Sequence, residues 1–150
     1  MTTHGIAGGS EVFELTLDGE APENQPLDMV RRAGYDPKDW QFTGKQVGET
    51  QTRCFKWVSV GYQPNLDAVR AECAKHGRVP EGQWREAVNQ MFQPDGQHPR
   101  GVADPSWVDP NTDARFPYVL SDGFSNFGWA GGDRDDGWLW LVEVSSSTKA

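Results

Sequence analysis

Residues Trp138 to Val144 read Trp-Leu-Trp-Leu-Val-Glu-Val, apolar at every position except Glu143. A strand sends alternate side chains to opposite faces, so a nearly all-apolar run of this length reads as a strand buried on both faces of a sheet. Nothing else in the chain limits the fold as strongly. The first five residues of the run, Trp138 to Val142, are also the longest apolar stretch, which is far too short to cross a membrane.

The rest of the chain supplies strands with one wet face and short helices. Phe13, Leu15 and Leu17 alternate with Glu14, Thr16 and Asp18, which predicts a strand ended by the turn pair Asp18-Gly19. A short helix is expected from Leu27, with Leu27, Val30 and Ala33 on one side and Gly34 as its left-handed stop. Asp36-Pro37 pairs an N-cap with a first-turn proline. Thr52 to Tyr62 is the next expected strand, and Pro64 closes it. Asn65 then caps a helix with Leu66, Val69 and Cys73 on its apolar side. A second helix is expected over Pro80 to Phe92, where Trp84, Ala87, Val88 and Met91 share one face. These two helices are expected to pack as a hairpin.

Residues 97–114 contain His98-Pro99, Asp104-Pro105 and Asp109-Pro110, which argues against a continuous helix or central strand there. The segment is read as a long irregular loop. Phe116 to Leu120 is a candidate strand, and 121–137, with five glycines, is read as a second long loop. The expectation is a single α+β domain over 1–150: a small mixed or antiparallel sheet, the helical hairpin packed on one face, two long irregular loops, and flexible ends at 1–10 and 145–150.

Charge narrows the function classes. The net charge is −8, with nine acids against four bases in 11–49, four against six in 51–92, and eight against three in 93–137. Such a chain is a poor ligand for phosphate backbones, so no nucleic-acid binding is expected. It suits a protein partner with a basic surface. Two cysteines, Cys54 and Cys73, form no metal or CxxC pattern and are read as buried thiols in a reducing compartment. The N-terminal residues lack a basic-then-apolar signal pattern, and a cytoplasmic location with no membrane partner is expected.

The stretch Asp122 to Gly137 is the most unusual, mixing glycines with Phe124, Phe127 and Trp129 and ending in Asp133, Asp135 and Asp136. Large aromatics at a loop tip anchor partners; the alternative is a wide hairpin whose aromatics fold back onto the sheet. The three aspartates invite a calcium reading, but their spacing misses the EF-hand pattern, and neither metal nor cofactor is expected. For catalysis, His98 is the candidate base, with Asp95, Asp104 and Asp109 near it in sequence; no nucleophile motif accompanies them. Gly128 to Gly132 lacks the lysine of a phosphate loop.

Leu15 to Phe42, a strand ending in Asp18-Gly19 and a short helix ending Arg32-Ala33-Gly34-Tyr35-Asp36-Pro37, resembles the start of bacterial ubiquitin-like repeat domains. It covers under a fifth of the chain, and no function is carried over from it.

The leading expectation is a small acidic protein–protein interaction domain, of inhibitor, immunity or adaptor type, that binds through Trp107, Phe124, Phe127, Trp129, Asp133, Asp135 and Asp136. One alternative is a small-molecule or carbohydrate-binding module using Trp129, Asn126 and Asp133. Another is a small enzyme using His98 and a loop Asp, although the reading leans away from an enzyme.

Overall fold

The apolar run becomes β8 (Leu139–Val144), an interior strand of an eight-stranded sheet. The computed structural model describes residues 11–145. The expected flexible ends lie outside that range, apart from Ser145. In chain order the strands are β1 (Phe13–Asp18), β2 (Gln41–Phe42), β3 (Thr50–Val58), β4 (Arg100–Gly101), β5 (Trp107–Val108), β6 (Ala114–Val119), β7 (Ser125–Trp129) and β8. The helices are α1 (Pro26–Arg32), α2 (Leu66–Cys73) and α3 (Trp84–Met91).

The sheet runs β1-β3-β8-β4-β6, and only the β4–β8 pair is parallel. At β6 it divides. One edge of β6 carries β7; β4 pairs with the C-terminal end of β6 and β5 with its N-terminal end, and β5 leads on to β2. The sheet curls into a half-barrel. A mixed-sheet α+β fold is therefore present, as expected.

The hairpin is different. Leu139 and Leu141 of β8 pack with Phe13, Leu15, Leu17, Phe55 and Trp57 and with Trp84, Ala87 and Val88 of α3. Trp140 and Val142 point the other way and pack with Leu66, Val69 and Cys73 of α2. The two helices thus cover opposite faces of β8 instead of lying together on one. The reason lies in β8 itself: a strand apolar on both sides needs cover on both, and a helical hairpin would leave one side wet.

Local signals account for the helix ends. Asn65 Oδ1 accepts the Ala68 amide at 2.9 Å, Asp36 Oδ1 accepts the Lys38 amide at 3.0 Å, and Gly34 sits at φ 101° just past α1. Both expected long loops are more ordered than their composition implied. In 97–114, the X-Pro pairs cut the strand into β4 and β5 without excluding it from the sheet, and the chain from Arg100 to Asp104 is buried. In 121–137, β7 pairs with β6 over its full length, with Arg115 opposite Trp129 and Val119 opposite Ser125. The turn uses Asp122-Gly123, with Gly123 at φ 97°.

Pro80 to Val88 is buried without a break, polar residues included. Gln83 donates to the carbonyls of Asn24 (2.8 Å) and Val47 (3.2 Å) and accepts the Val47 amide (2.7 Å). Gly82 donates to Asp104 Oδ2 at 2.7 Å. A Cβ at Gly82 would lie 2.5 Å from Cζ3 of Trp107 and 2.8 Å from Cγ of Pro117, whereas one at Gly131 meets nothing within 4 Å. Gly82→Ala is expected to cost about 1–3 kcal/mol in urea unfolding through overpacking. Gly131→Ala should stay within about 0.5 kcal/mol of the parent.

Candidate functional site

The β6–β7 ribbon carries the aromatic residues that the sequence singled out, and pairing decides which of them remain outside. Phe127 and Trp129 are two apart in β7 and so share a face. Phe127 turns into a cluster with Met29, Val30, Trp40 and Trp107 and is 2% exposed. Trp107, in that same cluster, is fully buried and donates its indole N–H to the Pro26 carbonyl at 2.9 Å. Neither ring is free to meet a partner, which corrects their expected role as anchors. A large ring that can fill such a cluster is worth more to the core than to solvent.

Trp129 lies beyond the edge of that cluster and is 58% exposed; Phe124, in the turn, is 51% exposed. They bracket β7, about 17 Å apart at the rise of an extended strand. A third exposed ring, Tyr62 (59%), donates its hydroxyl to Asp133 Oδ2 at 3.4 Å and so lies beside the acidic turn. Sequence reading passed over Tyr62 because nothing in its local pattern separates it from the preceding strand.

Trp129 is held from behind. The Arg115 guanidinium lies 5.3 Å from the Trp129 ring centre and 5.9 Å from that of Trp40. Arg115 Nε donates to Asp109 Oδ2 at 2.8 Å and Nη1 to the Phe127 carbonyl at 3.1 Å. Asp109 also accepts the amides of Asn111 (2.9 Å) and Asp113 (3.0 Å). Burial works to raise its pKa, but these amides and the Arg115 charge outweigh it and hold the carboxyl below its ordinary range. On the far side of the ribbon Arg134 stacks 4.7 Å over Phe116 and 5.4 Å over Trp138, and it donates Nη2 to the Trp129 carbonyl at 2.7 Å. Arg134 therefore pins the 129–134 turn, a role for which the sequence offered only an arginine amid aspartates and glycines.

In front of Trp129 is an open cleft of about 370 Å³ lined by Asp113, Ala114, Trp129, Gly131 and Gly132. Asp113 is exposed, and its carboxylate makes no ion pair or hydrogen bond among the described residues. Asp133, Asp135 and Asp136 are exposed on the adjoining turn, where Asp135 Oδ1 accepts the Gly137 amide at 2.9 Å. Among the described residues no group of three or more His, Cys, Asp or Glu is placed to hold a metal ion. Asn126 is only partly exposed, with Oδ1 taken by the Phe127 amide at 2.7 Å, and it does not line the cleft.

The set around His98 divides. His98 Nδ1 is 2.7 Å from Asp95 Oδ2, and Asp95 also accepts the amides of Gln97 and His98 at 2.8 Å. Asp104 instead holds Gly82 and Ser106, and Asp109 holds Arg115. Both aspartates are committed elsewhere in the fold. Cys73 is buried, and burial pushes its thiol up to about 12, the opposite of an activated nucleophile.

Comparison with protein-family models, with curated proteins and with solved structures finds no match for this chain.

The stability that Asp109 contributes is fully present above its ordinary pKa of 3.8 and is lost as pH falls from there through the lower folded value. Asp109→Asn is expected to lower the urea midpoint at neutral pH, and the gap to the parent should close under acid. A gap of constant size across that range would refute the assignment.

Proposed function

We propose that this chain is a small protein-binding module, of inhibitor, immunity or adaptor type, that docks a partner through the β6–β7 ribbon and the acidic turn after it. The observation that carries this reading is the exposure of Trp129 and Phe124, both above half, at the two ends of a strand whose middle residue is core. A ring held as Trp129 is loses little freedom on binding, so its burial goes into affinity. Tyr62, Asp113, Asp122, Asp133, Asp135 and Asp136 surround them, an aromatic patch with an acidic rim suited to a basic protein surface.

The partner is read through side chains rather than by strand addition. At the centre of β7 the Phe127 amide is taken by Asn126 Oδ1 and its carbonyl by Arg115, so an incoming strand finds those groups already engaged. The same acidic surface disfavours a nucleic-acid backbone. No helix among the described residues is long and apolar enough to cross a membrane. Two unpaired cysteines fit a cytoplasmic setting, and the reading requires no cofactor.

The cleft before Trp129 supports a second reading, a small-ligand or carbohydrate site in which the indole stacks on a sugar face. Asp113 replaces Asn126 and Asp133 as the polar group facing such a ligand.

The test is capture of a stoichiometric protein from host lysate, followed by affinity measurement with variants. Trp129→Ala and Phe124→Ala are each expected to weaken binding by about thirtyfold or more while circular dichroism stays unchanged. Association should slow as salt rises. Full affinity in the folded double variant would sink the site. Phe127→Ala is expected to act on stability instead, costing about 3–5 kcal/mol.

A further inference from the structure

We propose that the Trp129 cleft is a receptor for one arginine side chain of the docked partner, its guanidinium stacked on the outer indole face and bound by the Asp113 carboxylate. This rests on the docking reading and names the group that the site takes.

This molecule places its own arginines in a recurring way. Arg115 lies between the rings of Trp40 and Trp129, with the Asp109 carboxylate on its Nε. Arg85 lies 5.2 Å over Phe127 and donates Nε and Nη2 to Glu86 Oε2 at 2.9 and 2.7 Å. Arg100 lies 5.7 Å over Trp57 and 5.6 Å over Phe92, with Asp95 Oδ2 at 3.8 Å. Three separate places thus combine an aromatic face, a guanidinium and a carboxylate. The planar guanidinium suits this arrangement because it stacks through its face while its edge still bonds a carboxylate.

The cleft presents the same arrangement without the cation. Trp129 supplies an open face, Asp113 an unpaired carboxylate at the lip, and Gly131 and Gly132 a wall without side chains. Arg115 stands behind the ring, but its charge is offset by Asp109, so the ring is not backed by a bare cation. From Asp109 to Asp136 the chain has six acids against two bases. Both of those bases are engaged, Arg115 with Asp109 and Arg134 over Phe116 and Trp138. The local field therefore favours a positive side chain over a neutral one. A lysine ammonium would answer the charge but not the flat face and paired donors, so arginine is the better occupant.

The experiment uses the full chain and small probes. The indole N–H resonance of Trp129, assigned by its loss in Trp129→Phe, is followed during titration with N-acetyl-arginine amide. N-acetyl-citrulline amide, uncharged and nearly the same shape, and methyl β-glucoside serve as comparisons. A saturable shift with the arginine probe is expected, weaker by about fivefold or more with citrulline and in Asp113→Asn, and reduced by salt. Equal shifts with arginine and citrulline, or no saturable shift with arginine, overturn the proposal. Saturation by the glucoside alone overturns it in favour of a sugar site. With a captured partner, affinity that falls in Trp129→Ala yet ignores Asp113→Asn would leave the docking surface standing and remove the arginine from it. Loss in both variants supports the two together.

Discussion

The double-sided burial of β8 organises everything around it. Leu139 and Leu141 draw α3 and β1 onto one face while Trp140 and Val142 draw α2 onto the other. With both faces covered, and with its edges paired by β3 over Trp140–Val144 and by β4 at Leu139 and Trp140, the strand is buried from Leu139 to Val142. The apolar area it removes from water is the main return for ordering the surrounding chain. Its parallel partner β4 is only two residues long, yet it joins β8 to β6 within the sheet, and β6 bears the ribbon that carries the exposed rings.

A second device is the stacking of arginines on aromatic faces. Seven tryptophans and seven phenylalanines offer many ring faces. Arg53, Arg85, Arg100, Arg115 and Arg134 each lie over one or two of them. This lets charged groups enter the interior with their charge answered by a carboxylate, carbonyl or ring. Glu86, almost wholly buried, is held by Arg85 and by Arg32 at 3.0 Å. The stacks also fix geometry. Trp129 is exposed but not loose, because Arg115 meets its inner face and Arg134 holds the carbonyl of the same residue. A rigid exposed ring is what a binding surface needs, and it explains how a strand can serve the core at Phe127 and the surface two residues later.

Much of the architecture was legible from local pattern. Strand β1, the caps at Asp36 and Asn65, the stop at Gly34 and the buried nature of β8 follow from period, turn chemistry and side-chain hydrogen bonding, which act within a few residues. Strand β7 was missed although its signals were present. Asp122-Gly123 is the same kind of turn pair as Asp18-Gly19, and Phe127 and Trp129 alternate as a strand requires, but Ser125, Asn126 and Gly128 hid the pattern under loop-like composition. The proline-rich 97–114 segment misled for a related reason. Proline forbids long pairing but permits two-residue pieces between larger strands, and the burial of Arg100 to Asp104 depends on partners far away in the chain.

The sequence alone determined that this would be an acidic α+β chain with one strand buried on both sides and an aromatic, aspartate-rich segment near its end, because charge and periodicity are properties of neighbouring residues. Only the tertiary structure decided which aromatics would be seen by a partner. Trp107 and Trp129 look alike in sequence, each a tryptophan among aspartates and small residues. One is sealed beneath Phe127 and the other stands at the mouth of a cleft. Exposure is set by what packs across from a residue, and across from Trp107 lie Met29, Val30 and Trp40, whose approach no local pattern could announce.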